Sequence, residues 1–328
     1  MGFAEEGWDE SAYARMAAAH CRTNHHEIRV DEARFAELLP RLVWHHDLPL
    51  NFANSVHIFA VSELAKRDVK VALTGEGADE LLGGYPRYYI PRLAAALDRL
   101  PASLRTPLAA LARAMPEHRL RKLGAYAALE PAERLLFNAS NVDRELVRAA
   151  IGARYAPAHW RFRAAAINSA RRQWPDASSA MAQLDFETYL LSILNRQDKM
   201  SMAASLESRV PFLDNEIVDF ARSLPASFKQ TIGKRKRVLK DVARRWLPAA
   251  IVDRRKSGFG VPLPQWLRTD GPTGRLLADI VRRPAVTELL DAATLDQSLR
   301  EHRSGDRDNS EFLWGALNLG IWREAFRC

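Results

Sequence analysis

Cysteine is close to absent: Cys21 and Cys328 are the whole complement of a 328-residue chain. Two cysteines make neither a disulfide framework nor a CxxC metal pair, which fits a reducing cytosol and excludes secreted scaffolds and zinc ribbons. Long apolar runs are missing too. No stretch approaches the ~20 residues of a membrane span, and Met1-Gly2-Phe3-Ala4-Glu5-Glu6 lacks the basic and apolar regions of a secretion signal. A cytoplasmic chain with no membrane partner is expected. Acidic residues are in slight deficit, 40 against 48 basic ones, for a net charge of +8. The excess clusters in Arg161–Arg172, Lys234–Lys240 and Arg244–Lys256, interleaved with Trp160, Trp174 and Trp246. Such stretches can touch a polyanion. The stronger reading is solvated helix faces around structural tryptophans, with no nucleic-acid partner.

Two regimes of patterning follow. Up to about residue 90, helical and strand patterns alternate, which argues for a parallel α/β sheet. Asp9–His20, Phe35–His45 and Asn54–Lys66 carry apolar residues at helical spacing, and His26–Val30 reads as a short strand. Val69-Lys70-Val71-Ala72-Leu73-Thr74 is short, β-branched and followed by glycine, as a buried parallel strand should be. From about residue 91 the patterns are almost all helical, rich in Ala, Leu and Arg and punctuated by prolines including Pro101, Pro116, Pro175 and Pro211. With no Gly/Ser linker between the regimes, the second is expected to pack onto the first. Only about two strands precede residue 90, fewer than an open parallel sheet needs.

The sharpest chemical segment is Thr74-Gly75-Glu76-Gly77-Ala78-Asp79-Glu80, which leads to Gly83-Gly84-Tyr85. Ligands of open α/β sheets bind at the carboxyl ends of strands. Glycines there let backbone approach a nucleotide, and three carboxylates can hold Mg²⁺ or move a proton. A strand-to-helix turn with acidic residues capping the helix fits the same residues. The run is neither G-x-G-x-x-G nor a Walker loop.

Residues 74–88, Thr-Gly-Glu-Gly-Ala-Asp-Glu-Leu-Leu-Gly-Gly-Tyr-Pro-Arg-Tyr, resemble the signature loop in the synthetase domain of glutamine-dependent asparagine synthetases. Further blocks are similar in the same order: residues 195–214, Gly233-Lys234-Arg235-Lys236, and Arg255-Lys256-Ser257-Gly258-Phe259-Gly260-Val261-Pro262. Asp47-x-Pro49 with Ser55, and Leu313-Trp314-x-x-Leu317-Asn318, also fit, so the similarity runs from about Phe3 to Phe326. The resemblance implies an ATP pyrophosphatase (PP-loop, Rossmann-like) α/β core lacking its first strands over 1–90. A large helical remainder of the same synthetase domain would fill 91–328. It implies that ATP adenylates the side-chain carboxylate of aspartate, and that glutamine-derived ammonia attacks the acyl-adenylate to give asparagine, AMP and pyrophosphate.

Carried over position by position, Asp79 would help hold Mg²⁺ and pyrophosphate, while Thr74, Gly75 and Gly77 would lie against the nucleotide. Glu76 would receive ammonia as base, Lys236 would stabilise phosphoryl charge, and Glu80 and Arg196 would line the path of ammonia. Duller readings stand beside these. Lys236 fits a solvated basic helix start, Arg209 and Glu207 an internal ion pair, Met200 and Met202 core packing, and Cys21 a half-buried inert thiol. His25-His26 and His45-His46 lack the spacing of a metal site.

The family's Ser-Gly-Gly-x-Asp-Ser pyrophosphate loop and its N-terminal-cysteine glutaminase domain have no counterpart in this sequence. The resemblance therefore implies that the chain alone is close to inactive and needs a complementary N-terminal polypeptide. A homo-oligomer is compatible with the exposed surface this would leave. The alternatives are a non-catalytic remnant and a ligase acting on another carboxylate. Cys21-Arg22 stands where the family carries a helix-ending glycine, a departure costing about 1 kcal/mol if the backbone there is left-handed.

Overall fold

The computed structural model describes residues 2, 5, 8–91, 100–115, 124–129, 131–138, 142–174, 176–231, 233–254 and 260–327. Arg255–Phe259, Pro116, Pro175 and Cys328, and the side chain of Trp160, lie outside the described residues. The order opens with α1 (Ser11–Cys21), α2 (Glu32–His46), α3 (Ser55–Ala65), β1 (Val71–Leu73) and α4 (Ala78–Leu82). Then come α5 (Ala102–Ala114), α6 (Pro131–Asn138), α7 (Arg144–Gln173), α8 (Ala177–Leu184), α9 (Leu190–Ala203) and β2 (Glu207–Arg209). The chain closes with α10 (Asn215–Ser223), α11 (Arg237–Ala243), α12 (Leu263–Arg268), α13 (Pro272–Ile280), α14 (Ala292–Ser304) and α15 (Ser310–Phe326), with single turns between.

The first three helices fall where apolar spacing puts them. Helix α2 starts on Asp31, whose side chain accepts the Arg34 backbone N–H at 2.8 Å, the bond that makes Asp a strong N-cap. Its buried face, Phe35, Leu38, Leu39, Leu42 and Val43, packs against α3, α12, α13 and α15. There the Phe35 ring centroid lies 5.0 Å from Trp266 and 5.9 Å from Trp314. Leu313, Trp314, Leu317 and Asn318, four residues of the closing motif, are all buried in or beside this core. The core thus joins residues from both sides of residue 90, and so does the sheet.

Among the described residues that sheet has two parallel strands, Val71 opposite Glu207, Ala72 opposite Ser208 and Leu73 opposite Arg209. The molecule is mostly helical with a small parallel sheet, compatible with an α/β synthetase domain. Two strand expectations need correction. Among the described residues His26–Val30 makes a single parallel bridge, Arg29 to Gly2, and no longer ladder. The run at Val69 is a parallel strand but not a buried one. Val69, Val71 and Leu73 share one face and are 45 %, 46 % and 74 % exposed, since among the described residues no second layer covers them.

Three smaller readings also change. Met200 is fully buried but Met202, in the last turn of α9, is exposed. Cys21 and Trp246 are exposed as well. Arg22, by contrast, sits at φ 53°, ψ 41° as the C-cap of α1, the left-handed conformation that favours glycine. Arg22→Gly is therefore expected to stabilise the chain by about 0.5–1 kcal/mol in urea denaturation.

His57 on α3 is buried with its ring centroid 6.0 Å from Phe35, and desolvation lowers its pKa from 6.5 to about 4. A histidine held neutral favours the folded state fully above the unfolded pKa and loses that advantage as pH falls through the gap. Between pH 6.5 and 4 roughly 3 kcal/mol is lost by this group alone. Denaturant midpoints at pH 7 and pH 4.5 should converge in His57→Gln relative to the parent chain.

Candidate active site

Both strands point the same way, so the turn after β1 and the loop after β2 meet at one end of the sheet. The Thr74 N–H extends the pairing by donating to the Arg209 carbonyl at 2.8 Å. The chain then turns through Gly75-Glu76-Gly77 into α4. Gly77 is left-handed at φ 88°, and a Cβ there would strike Leu213 on the loop after β2. Asp79 and Glu80 lie in the first turn of α4, where carboxylates suit a helix N-terminus, while Gly77, the N-cap residue, makes no side-chain cap bond.

Glu76 reaches α9, its Oε1 accepting from Arg196 Nη2 at 2.9 Å. Arg196 is buried, donates a second bond to Asn54 Oδ1 at 2.8 Å, and stacks with its Cζ 4.9 Å from the Phe52 ring centroid. This charge-assisted pair fixes the carboxylate's orientation, while Glu76 keeps a quarter of its side chain exposed. Helix α9 is tied to the sheet by Gln197 Nε2 donating to Ser208 Oγ at 2.9 Å.

The second pair is Lys236–Asp79, Nζ to Oδ1 at 3.0 Å, with both side chains about a quarter exposed. Lys236 is the N-cap of α11 and is itself left-handed, φ 50°, ψ 44°. Gly84 closes over the pair: its N–H donates to the Asp79 carbonyl at 2.8 Å, and a Cβ on it would fall on Asp79 Oδ1 and within 2.7 Å of Lys236 Cε.

Glu80 belongs to neither pair. Its carboxylate is buried, takes the Tyr85 hydroxyl at 2.8 Å, and is pushed up in pKa chiefly by desolvation. It lines a cavity of about 60 Å³ with Gln183 and Lys229, whereas Arg196 lines another of about 220 Å³ with His46, Phe52 and Asn195. The sequence-selected residues thus form two ion pairs at one sheet end, with Glu80 in neither. Glu207 and Arg209 pair with each other, Nε to Oε1 at 2.5 Å.

Asn54, Phe52 and Gly84 escaped selection as site residues. Asn54 reads in sequence as a helix start, and nothing local shows that its amide faces a cation on another helix. Gly84 carried a signal, being the second glycine of a pair.

Residues 1–324 match the asparagine synthase family. Asparagine synthetase (glutamine-hydrolysing) 1 of Bacillus subtilis strain 168 is 30 % identical over 324 residues, covering 98 % of this chain and 51 % of that protein. A Mycobacterium bovis protein provisionally named asparagine synthetase (glutamine-hydrolysing) is 35 % identical over 331 residues, 99 % of this chain and 50 % of its own. The amidase chyE of Penicillium rubens is 25 % identical over 314 residues, 87 % and 46 % of the two chains. The chain spans about half the length of the curated relatives it matches.

Proposed function

The chain belongs to the asparagine synthase family, and on that premise we propose that it performs the ATP-dependent half of an amide synthesis. In this reading the sheet is part of a PP-loop nucleotide-binding core. ATP adenylates the side-chain carboxylate of aspartate and releases pyrophosphate; ammonia displaces AMP to give asparagine. The observation that carries the reading is the convergence of Glu76–Arg196 and Lys236–Asp79 at the carboxyl end of the parallel strands.

The chemistry of each pair fits a separate step. A carboxylate is a poor electrophile until adenylation gives it a leaving group, and charge then builds on the phosphates. Lys236, neutralised by Asp79 at rest, exchanges that partner for phosphoryl oxygen and offsets the charge. Asp79, so released, suits Mg²⁺, which takes one or two carboxylates beside substrate phosphates. When bound, that ion would neutralise phosphate charge. Gly75 leaves room for the nucleotide: a Cβ there meets nothing within 4 Å among the described residues. Glu76, oriented by Arg196, holds ammonia and takes its proton as the new C–N bond forms.

A Ser-Gly-Gly-x-Asp-Ser loop, which residues 1–328 do not contain, would come from further polypeptide. The test is exchange of radiolabelled pyrophosphate into ATP. Aspartate-dependent exchange is expected once the chain is co-expressed with a segment bearing that loop, and near-zero exchange without it. No exchange in the complemented protein would refute the proposal. In the same assay Gly84→Ala should lower exchange about 10- to 100-fold, because a Cβ there displaces both the Asp79 carboxylate and the Lys236 side chain from the positions the phosphates would meet, while the melting temperature changes little.

A further inference from the structure

The 220 Å³ cavity beside Arg196 adjoins a second one. It shares Asn51, Leu191 and Ser192 with a cavity of about 590 Å³, within the ~300–1,000 Å³ range of small-molecule pockets. An acid the size of aspartate leaves most of this space empty. The larger cavity is lined by a buried ion pair: Arg87 Nε lies 2.8 Å from Asp185 Oδ2, and the Asp185 side chain is only 2 % exposed. Arg87 lies against two rings set edge to face, its Cζ 4.8 Å from the Tyr85 centroid and 4.4 Å from that of Tyr189. Its Nη2 is buried without a hydrogen-bond partner among the described residues, a donor that costs free energy until an acceptor arrives. Arg163 lines the same space, and the carboxylate of Glu187 beside it is engaged by Gln183 Nε2 at 2.6 Å. Phe162 and Leu191, also in the lining, are 69 % and 61 % exposed, apolar surface with nothing over it among the described residues.

Helix geometry sets the length of an occupant. Asp185 opens a π-helical stretch, Asp185–Tyr189, that runs directly into α9. Arg196 therefore stands roughly 16 Å further along, at 1.5 Å per residue. Such π-helical turns often mark functional sites.

We propose that, beside aspartate, the site accepts a carboxylic acid longer than aspartate and binds it more tightly. Its reacting carboxylate lies at the Arg196 end, its apolar middle against Phe162 and Leu191, and a second anionic group accepts from Arg87 and Arg163. This rests on the amidation reading, which places the reacting end at Glu76 and Arg196.

The test is calorimetric titration of the 328-residue chain with α,ω-dicarboxylates from succinate through sebacate to dodecanedioate, with decanoate as the single-anion control. Affinity is expected to rise about tenfold or more from succinate to the long diacids, the worth of one charge-assisted hydrogen bond. Decanoate should not share the gain. Arg87→Met combined with Asp185→Asn, which leaves no buried charge behind, should abolish it. Should that variant fail to fold, Phe162→Glu alters only an exposed residue and should weaken the long diacids while sparing succinate.

A flat series, an equal gain for decanoate, or a gain that survives Phe162→Glu overturns the proposal. Because the readout is binding, the two readings fail separately. A complemented chain that exchanges pyrophosphate with aspartate yet shows no length preference loses this inference alone. One that binds long diacids but never exchanges pyrophosphate with any of them loses the amidation reading.

Discussion

Alanine at Lys236 is expected to cut aspartate-dependent pyrophosphate exchange in the complemented protein by roughly 10²–10³-fold, the cost of one preorganised charge-stabilising donor. Stability should scarcely move. The Lys236–Asp79 pair is about a quarter exposed on both sides, and partly solvated pairs contribute ~0–1 kcal/mol. Glycine at the same position makes the sharper case. Lys236 holds φ 50°, ψ 44°, which glycine adopts freely. Lys236→Gly should raise stability by about 0.5–1 kcal/mol while activity collapses as in the alanine variant. Opposite signs in the two readouts are the mark of backbone strain kept for function. A surface lysine of a basic helix start would lose nothing in the exchange assay.

Glu76→Gln is expected to separate the two half-reactions. The amide keeps an oxygen for Arg196, so the buried guanidinium retains a hydrogen bond alongside the one to Asn54. Adenylation does not use the carboxylate as a base, and pyrophosphate exchange should stay within severalfold of the parent. Amide formation from ammonia should fall about 10²–10⁴-fold, the usual worth of a positioned base. Lys236 and Glu76 variants then differ in kind: the first stops the reaction before the adenylate, the second after it. Glu76→Ala confounds this by leaving a buried cation half-unpaired, a change that is strongly destabilising in itself.

How much of this was legible beforehand depended on whether the cause was local. Helices α1 to α3 were, because apolar spacing is a property of neighbouring residues. Strand β2 was not. Glu207-Ser208-Arg209 has no β-branched residue and is extended because it pairs with β1, whereas His26–Val30 looks strand-like but, among the described residues, pairs at one position. The burial expected of Val71 and Leu73 is a statement about a second layer, which no strand encodes alone. The turn at Thr74 announced itself through its glycines and carboxylates, and resemblance added Arg196 and Lys236. That Glu76 meets Arg196 120 residues away, and that Asn54 and Gly84 hold the pairs in place, are consequences of the parallel strands and of α9 packing on α3 and the sheet. The cavity at Arg87 had no signal, since Arg87, Arg163 and Asp185 converge from three separate elements.

The central claim is that the carboxylate is activated by adenylation at the Thr74 turn. Aspartate labelled with heavy oxygen in its side-chain carboxylate, turned over with ATP and ammonia by the complemented protein, tests it most directly. The oxygen that bonds to phosphorus leaves with AMP, so mass spectrometry should find one heavy oxygen in every AMP formed. Unlabelled AMP, or the label in inorganic phosphate with ADP as co-product, would contradict it.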